Sequence, residues 1–193
     1  MSVYLYDEAL VDGIKSVTGD NRIRIVPPEN TTSFLAQIDK DNVNYPAILL
    51  RRGPIQIVEP MRNQYSMLKG ETVRYNSEEN TATKVKTLPI RIEWDVDVYA
   101  ADRKTCDEIV RELVWFFTTY PRFSVKIPYG LDITQNFDIS LDPNIEDNTD
   151  LLGFASTGEL FRETLSIYTE NAHYYTAQRQ YLTKVKPEVE DIK

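Results

Sequence analysis

Little in this chain is of the kind that usually carries chemistry. Cys106 is the only cysteine, so an intrachain disulfide is impossible and a cysteine-rich zinc site is excluded. It falls on the apolar stripe of a predicted helix and reads as a small buried hydrophobe, not a nucleophile. His173 is the only histidine, set in "NAHYY" beside Tyr174 and Tyr175. With no second histidine or nearby cysteine, no Ser-His-Asp or Cys-His relay can be assembled around it, and it reads as a packing or interface residue. The glycines are scattered singly, which removes any glycine-rich phosphate loop. No cofactor is implied.

Long apolar runs are missing too. The longest, Leu113 to Phe117, falls far short of the roughly 20 residues a membrane span needs. The opening "MSVYLYDEAL" has no basic segment and carries Asp7 and Glu8 early, which predicts no secretory signal and a soluble protein made in the cytoplasm. Positive charge is scarce: 22 Lys and Arg stand against 30 Asp and Glu, for a net charge of -8. That argues against wrapping nucleic acid, but not against DNA sliding past a surface that repels phosphate.

What remains is enough for a core. Hydrophobic residues make up 41% of 193, which predicts one folded domain over residues 1–176 and a charged extension over 177–193. Val3, Tyr6, Leu10, Ile14 and Val17 recur at helical spacing, and Gly19 follows as a stop. "RIRIV" alternates as a short strand up to Pro27-Pro28. "TTSFLAQIDK" has room for one or two helical turns. "YPAILLRR" reads as a strand, with Gly53-Pro54 as a break and "IQIV" beyond it. Residues 60–87 are polar and without sustained period; a protruding hairpin with "NSEEN" at its tip is expected there.

Leu88 to Ala100 alternates cleanly. Ile90, Ile92, Trp94, Val96 and Val98 share one face; Arg91, Glu93, Asp95, Asp97 and Tyr99 share the other. A helix follows, capped by Asp102 or by Thr105 with Glu108, and ends near Pro121. "RFSVKIP", "NFDISLD" and "LFRETLSIYT" read as later strands, the last with Arg162, Thr164, Ser166 and Tyr168 outward. A turn-rich acidic loop is expected over Asp142–Asp150. These elements predict an α+β domain: a mostly antiparallel, mixed sheet with two main helices on one face and a long hairpin protruding from it.

Glu93, Asp95 and Asp97 on one strand face raise two readings. Neighbouring carboxylates can hold Mg²⁺ for phosphoryl transfer, which makes a magnesium-dependent phosphoesterase or nuclease one function class. The other reading, adopted here, is a polar face that meets solvent or a neighbouring subunit. "DPNIEDNTDLLG" begins like a calcium loop, but Asp147 stands where the turn needs Gly and Gly153 where a bidentate Glu is needed. No metal site is assigned. Arg51-Arg52 and Lys84-Lys86 are small basic clusters, read either as surface charge that balances an acidic protein or, more sharply, as facing the acidic row of a neighbouring copy in a head-to-tail contact.

The order of elements, with "PIRIEWDVDVYAADRKTCDEIVRELVWFF" followed by "RFSVKIPYG" and "ELFRETLSIYTENAHYY", resembles bacteriophage tail terminator or tail completion proteins. The likeness runs from Val3 to Tyr175 and centres on the strand ending in "DVYA" and the "DEIVRELVWFF" helix. It implies a non-enzymatic virion part, a homo-oligomeric ring, commonly a hexamer, that caps the tail tube and sometimes the sheath of a contractile tail. The implied partners are the tube protein, the sheath and the head-side neck or connector proteins, with DNA passing through without sequence-specific binding and no membrane contact. The alternatives within that class are another neck or connector component or a baseplate adaptor. The expected assembly surface comprises Met67, Leu68 and Tyr75 of the hairpin, Arg51, Arg52, Lys84 and Lys86, and the row Glu93, Asp95 and Asp97.

Overall fold

The computed structural model describes residues 3–18, 23–38, 45–58, 72–76, 81–127, 133–149 and 160–181, with backbone alone for 72–76, 81–86 and 176–181. Helix α1, Tyr4–Thr18, follows the predicted period: Tyr6, Leu10 and Ile14 are fully buried. Strand β1 (Arg24–Val26) pairs in parallel with β2 (Ala47–Ile57). Parallel pairing requires a crossover, and the segment between them supplies one through a 3-10 turn at Pro28–Asn30 and helix α2, Thr31–Ile38. Gly53-Pro54 does not end the strand as expected. The register slips between Arg52 and Ile55 instead, so the pair sits in a bulge where the ladder is already interrupted.

Strand β3 (Thr72–Asn76) and the start of β4 (Thr81–Ala100) form the hairpin expected around "NSEEN", with Asn76 opposite Thr81. Its second limb does not stop before the next strand. It runs on through Leu88 and Pro89 into the alternating segment as one strand, with a slip in its pairing between Ile90 and Ile92. Helix α3 (Arg103–Thr119) follows, capped by Asp102, whose side chain accepts from the Thr105 N–H at 2.8 Å. Of the two caps weighed, the earlier holds.

Strands β5 (Arg122–Ile127) and β6 (Ile133–Asp138) make a small sheet of their own. "NFDISLD" is therefore two strands, not one. The chain leaves β6 at Ile139, whose N–H bonds to Pro121 O at 2.7 Å, and enters β7 (Ser140–Asp147). Most of the loop expected from Asp142 is in that strand, with a slip between Leu141 and Ile145 around Pro143. Strand β8, Phe161–Tyr181, runs past residue 176, so the expected start of the extension lies inside it.

The main sheet has the order β1-β2-β4-β8-β7, with β3 paired to β4. All its pairs but β1–β2 are antiparallel. The fold is α+β. Strand β4 is its spine: β8 follows one edge from Ala100↔Phe161 to Thr81↔Tyr181, while β2 and β3 take the other edge in tandem.

Ile90, Ile92, Trp94, Val96 and Val98 of β4 are buried in one cluster with Tyr6, Leu10 and Ile14 of α1 and with Cys106, Ile109, Val110, Leu113 and Phe117 of α3. Each large side chain so buried contributes about 1.5–3 kcal/mol. The other face carries a smaller cluster of Val26, Phe34, Ala47, Leu49 and Tyr99, so α2 covers one end of the face expected to be polar. Tyr6 also ties α1 to the sheet: its hydroxyl accepts from the His173 N–H at 2.8 Å and stands 2.8 Å from Gln135 Oε1. Gln135 Nε2 donates to Asn171 O and stands 2.6 Å from His173 Nδ1, so His173 is a packing residue. Burial lowers its pKa from the ordinary value.

Candidate functional site

At Asp97 the acidic strand face is not a wet one. Strict alternation puts Asp97 beside Tyr99, next to Leu49 of β2 and Thr164 of β8, and its side chain is 0% exposed. A buried carboxylate needs partners, and three side chains supply them. Arg51 Nε and Nη2 donate to the two carboxylate oxygens at 2.5 and 3.1 Å. Arg162 Nη2 reaches Oδ1 from the opposite side at 3.0 Å, and the Thr164 hydroxyl donates to the same atom at 2.6 Å. Burial alone would lower the Arg51 pKa; the Asp97 hydrogen bond and charge outweigh it, and the guanidinium is held above its ordinary value. Tyr99 lies alongside, with the Arg162 guanidinium 5.7 Å from its ring centroid. Burial and then the Asp97 charge push its hydroxyl up to about 12.

Moving down the face, polarity gives way to water by degrees. Asp95 is 40% exposed, accepts from Ser166 Oγ at 2.9 Å and stands 3.4 Å from Arg51 Nη2. Glu93 pairs with Arg91 at 2.9 Å, and Arg91 also reaches Glu170 at 3.2 Å and lies over the Tyr168 ring. Every carboxylate of the row is thus engaged by a guanidinium of the same chain. Two guanidinium groups on Asp97 supply the positive charge a divalent cation would bring, and among the described residues no three metal-ligating side chains converge.

Arg51 and Arg52 were expected to reach a neighbouring copy; both turn inward. Arg52 Nη1 donates to Asp7 Oδ2 at 2.7 Å, and Trp94 Nε1 donates to Asp7 Oδ1 at 2.7 Å. Burial raises the Asp7 carboxyl above its ordinary value against the opposing Trp94 hydrogen bond and Arg52 charge. The physical reason is the same in both cases: a carboxylate buried by one element takes its counterion from the next strand. Lys84, Lys86 and Tyr75 are placed by backbone register alone, opposite Val73 and Gln178, opposite Thr176, and opposite Ala82 respectively. Met67 and Leu68 lie outside the described residues.

Sequence reading missed Asp7, Arg162 and Thr164. Arg162 and Thr164 had the right signal, since both stand on the outward phase of a strand whose pairing with β4 places them opposite Tyr99 and Asp97. A second acidic grouping also escaped it. Glu163 on β8 faces Asp107 of α3, Asp147 of β7 and Arg103, which holds Asp147 at 2.9 Å. Burial, then the shared proton and charge of Asp107, push Glu163 up to about 7.

No protein-family model matches the chain, and no curated protein matches it either. No described helix is long and apolar enough to cross a membrane.

Proposed function

We propose that the chain is a structural subunit of a phage tail, a terminator or completion protein that closes into a ring on the tail tube. The observation that carries this reading is the ribbon of β3, β4 and β8. The three strands continue together past the last β2 partner, Ile90, to Thr81 and Tyr181, the kind of arm by which one ring subunit engages the next or the tube. At about 3.3 Å per residue, the stretch from Thr81 to Pro89 spans roughly 30 Å. The sequence likeness around "DVYAADRKTCDEIVRELVWFF" and the net charge of -8, suited to a lumen that DNA must traverse, point the same way.

The magnesium-dependent alternative draws no support from the row Glu93, Asp95 and Asp97, since arginines occupy it. Two experiments decide the ring reading. Solution mass over a wide concentration range, with and without Mg²⁺, followed by negative-stain imaging, should show a closed ring with an open channel. Growing tail tubes given the purified chain should be capped and stop elongating. Tubes that grow on unchanged, with a chain that never forms a ring, sink the reading.

A further inference from the structure

Among the described residues Asp97 and Asp7 are the buried carboxylates, and each is answered by a guanidinium. Glu163 is answered by another acid. Along β8, Phe161, Glu163, Leu165 and Ile167 stand opposite Ala100, Val98, Val96 and Trp94, the core side of β4. Glu163 thus interrupts an apolar phase and points under the first turn of α3. Its hydrogen-bond partner there is the Asp107 carboxyl, and two carboxyl groups bond to one another only with a proton between them.

The surroundings offer little else to balance the pair. From β4 Glu163 meets uncharged Val98 and from β7 it meets Asp147; from α3 it meets Asp107, the Cys106 thiol and Arg103. Arg103 already holds one Asp147 oxygen at 2.9 Å, and the Thr149 N–H donates to the other at 3.2 Å. The Thr149 bonds first, then Arg103, keep Asp147 below its ordinary value, so it stays charged beside Glu163. Helix α3 is also fixed unequally along its length. Ile109, Val110, Leu113 and Phe117 hold the later turns in the core, whereas the first turn has Cys106, 3.6 Å from Val98 O, and this acidic cluster. Asp102 caps that turn from within the same segment, so the turn stays helical whether or not it touches the sheet.

We propose that the first turn of α3 is a proton-operated joint: the hydrogen bond between Glu163 and Asp107 closes it against β8 and β7, and loss of that proton to solvent opens it while the later turns stay docked. Deprotonation leaves Glu163, Asp107 and Asp147 together with Arg103 alone to offset them, and like charges so placed repel. The sign follows from Glu163, whose folded value of about 7 lies above its ordinary 4.5. The closed form binds the extra proton, so closure is complete in acid and is lost as pH rises through 7. The joint belongs to a single copy and does not depend on the ring reading.

Cys106 reports the opening. It is fully buried, and burial pushes its thiol up to about 12, so it is labelled only when the turn leaves the sheet. The test is iodoacetamide labelling of the full chain between pH 6 and 8, divided at each pH by the rate for the urea-unfolded chain. In the parent this quotient should rise on the order of tenfold over that range. Glu163→Gln should hold it flat, because the amide keeps a hydrogen bond to Asp107 without titrating. Asp107→Asn leaves Glu163 no acid with which to share a proton and should shrink the rise. Urea below the unfolding transition should leave the parent's rate unchanged, since a local opening exposes little surface. A flat quotient in the parent, or a rise undiminished in both variants, overturns the joint. Labelling that climbs with urea as steeply as global unfolding also overturns it, because Cys106 is then exposed only when the whole chain unfolds.

Discussion

Asp97 is the residue on which the charged face turns. Removing its carboxylate leaves Arg51 and Arg162 beside one another with no anion between them, the arrangement in which a broken buried ion pair costs most. Asp97→Ala should therefore lower the unfolding free energy by about 3–5 kcal/mol, measured by urea denaturation. A loss below about 1 kcal/mol would mean the pair behaves as a surface one. Glu163 carries a pH dependence of opposite sense to the usual carboxylate. Its folded value, about 7, lies above its ordinary 4.5, so the folded chain binds more protons across that window and stability falls as pH rises through it. Facing Asp107 and Asp147 with only Arg103 to offset them, Glu163→Gln should flatten the slope of melting temperature between pH 5 and 7. A parent protein with no such slope would refute it.

At the scale of the element, Gly13 is a helix-interior glycine with a packing reason. A Cβ there would overlap the Phe123 ring, which packs edge-on against Phe116 and face-on against Phe137. Gly13→Ala gains about 1 kcal/mol of helix propensity and loses about 1–3 kcal/mol to overpacking, so thermal unfolding should show no stabilisation. The hairpin is an element of another kind. Replacing Met67, Leu68 and Tyr75 together by Ser should abolish assembly in sedimentation while leaving the melting temperature within a few degrees; a collapse of the fold would refute the arm.

Periodicity made the elements themselves legible. Tyr6-Leu10-Ile14 marked α1, Ile90 to Val98 marked the core face of β4, and Cys106 to Phe117 marked α3, because one buried stripe suffices for each. What escaped was decided between elements. Nothing local to "NFDISLD" says that Ile139 crosses from one sheet to another, and nothing local to Asp97 says that α2 covers its end of the sheet. The acidic row read as wet because its counterions, Arg51 and Arg162, stand 46 and 65 residues away in sequence.

For the whole molecule, the long β4–β8 ladder has a mechanical meaning. A pull on the ribbon's end along the strands loads the cross-strand bonds of that ladder side by side, in shear, where they must give way together; bonds pulled open from one end would break in turn. β4 and β8 are also the strands that back the core, so a tug at Thr81 or Tyr181 is delivered through the ladder to Trp94 and Leu165, across the register slip between Ile90 and Ile92. Such a subunit is a stiff lever. It passes displacement from whatever grips its arm to the body behind it, and a single-molecule pull between Thr81 of β4 and Phe161 of β8, at opposite ends of the ladder, should meet one high rupture event, not a series of small ones.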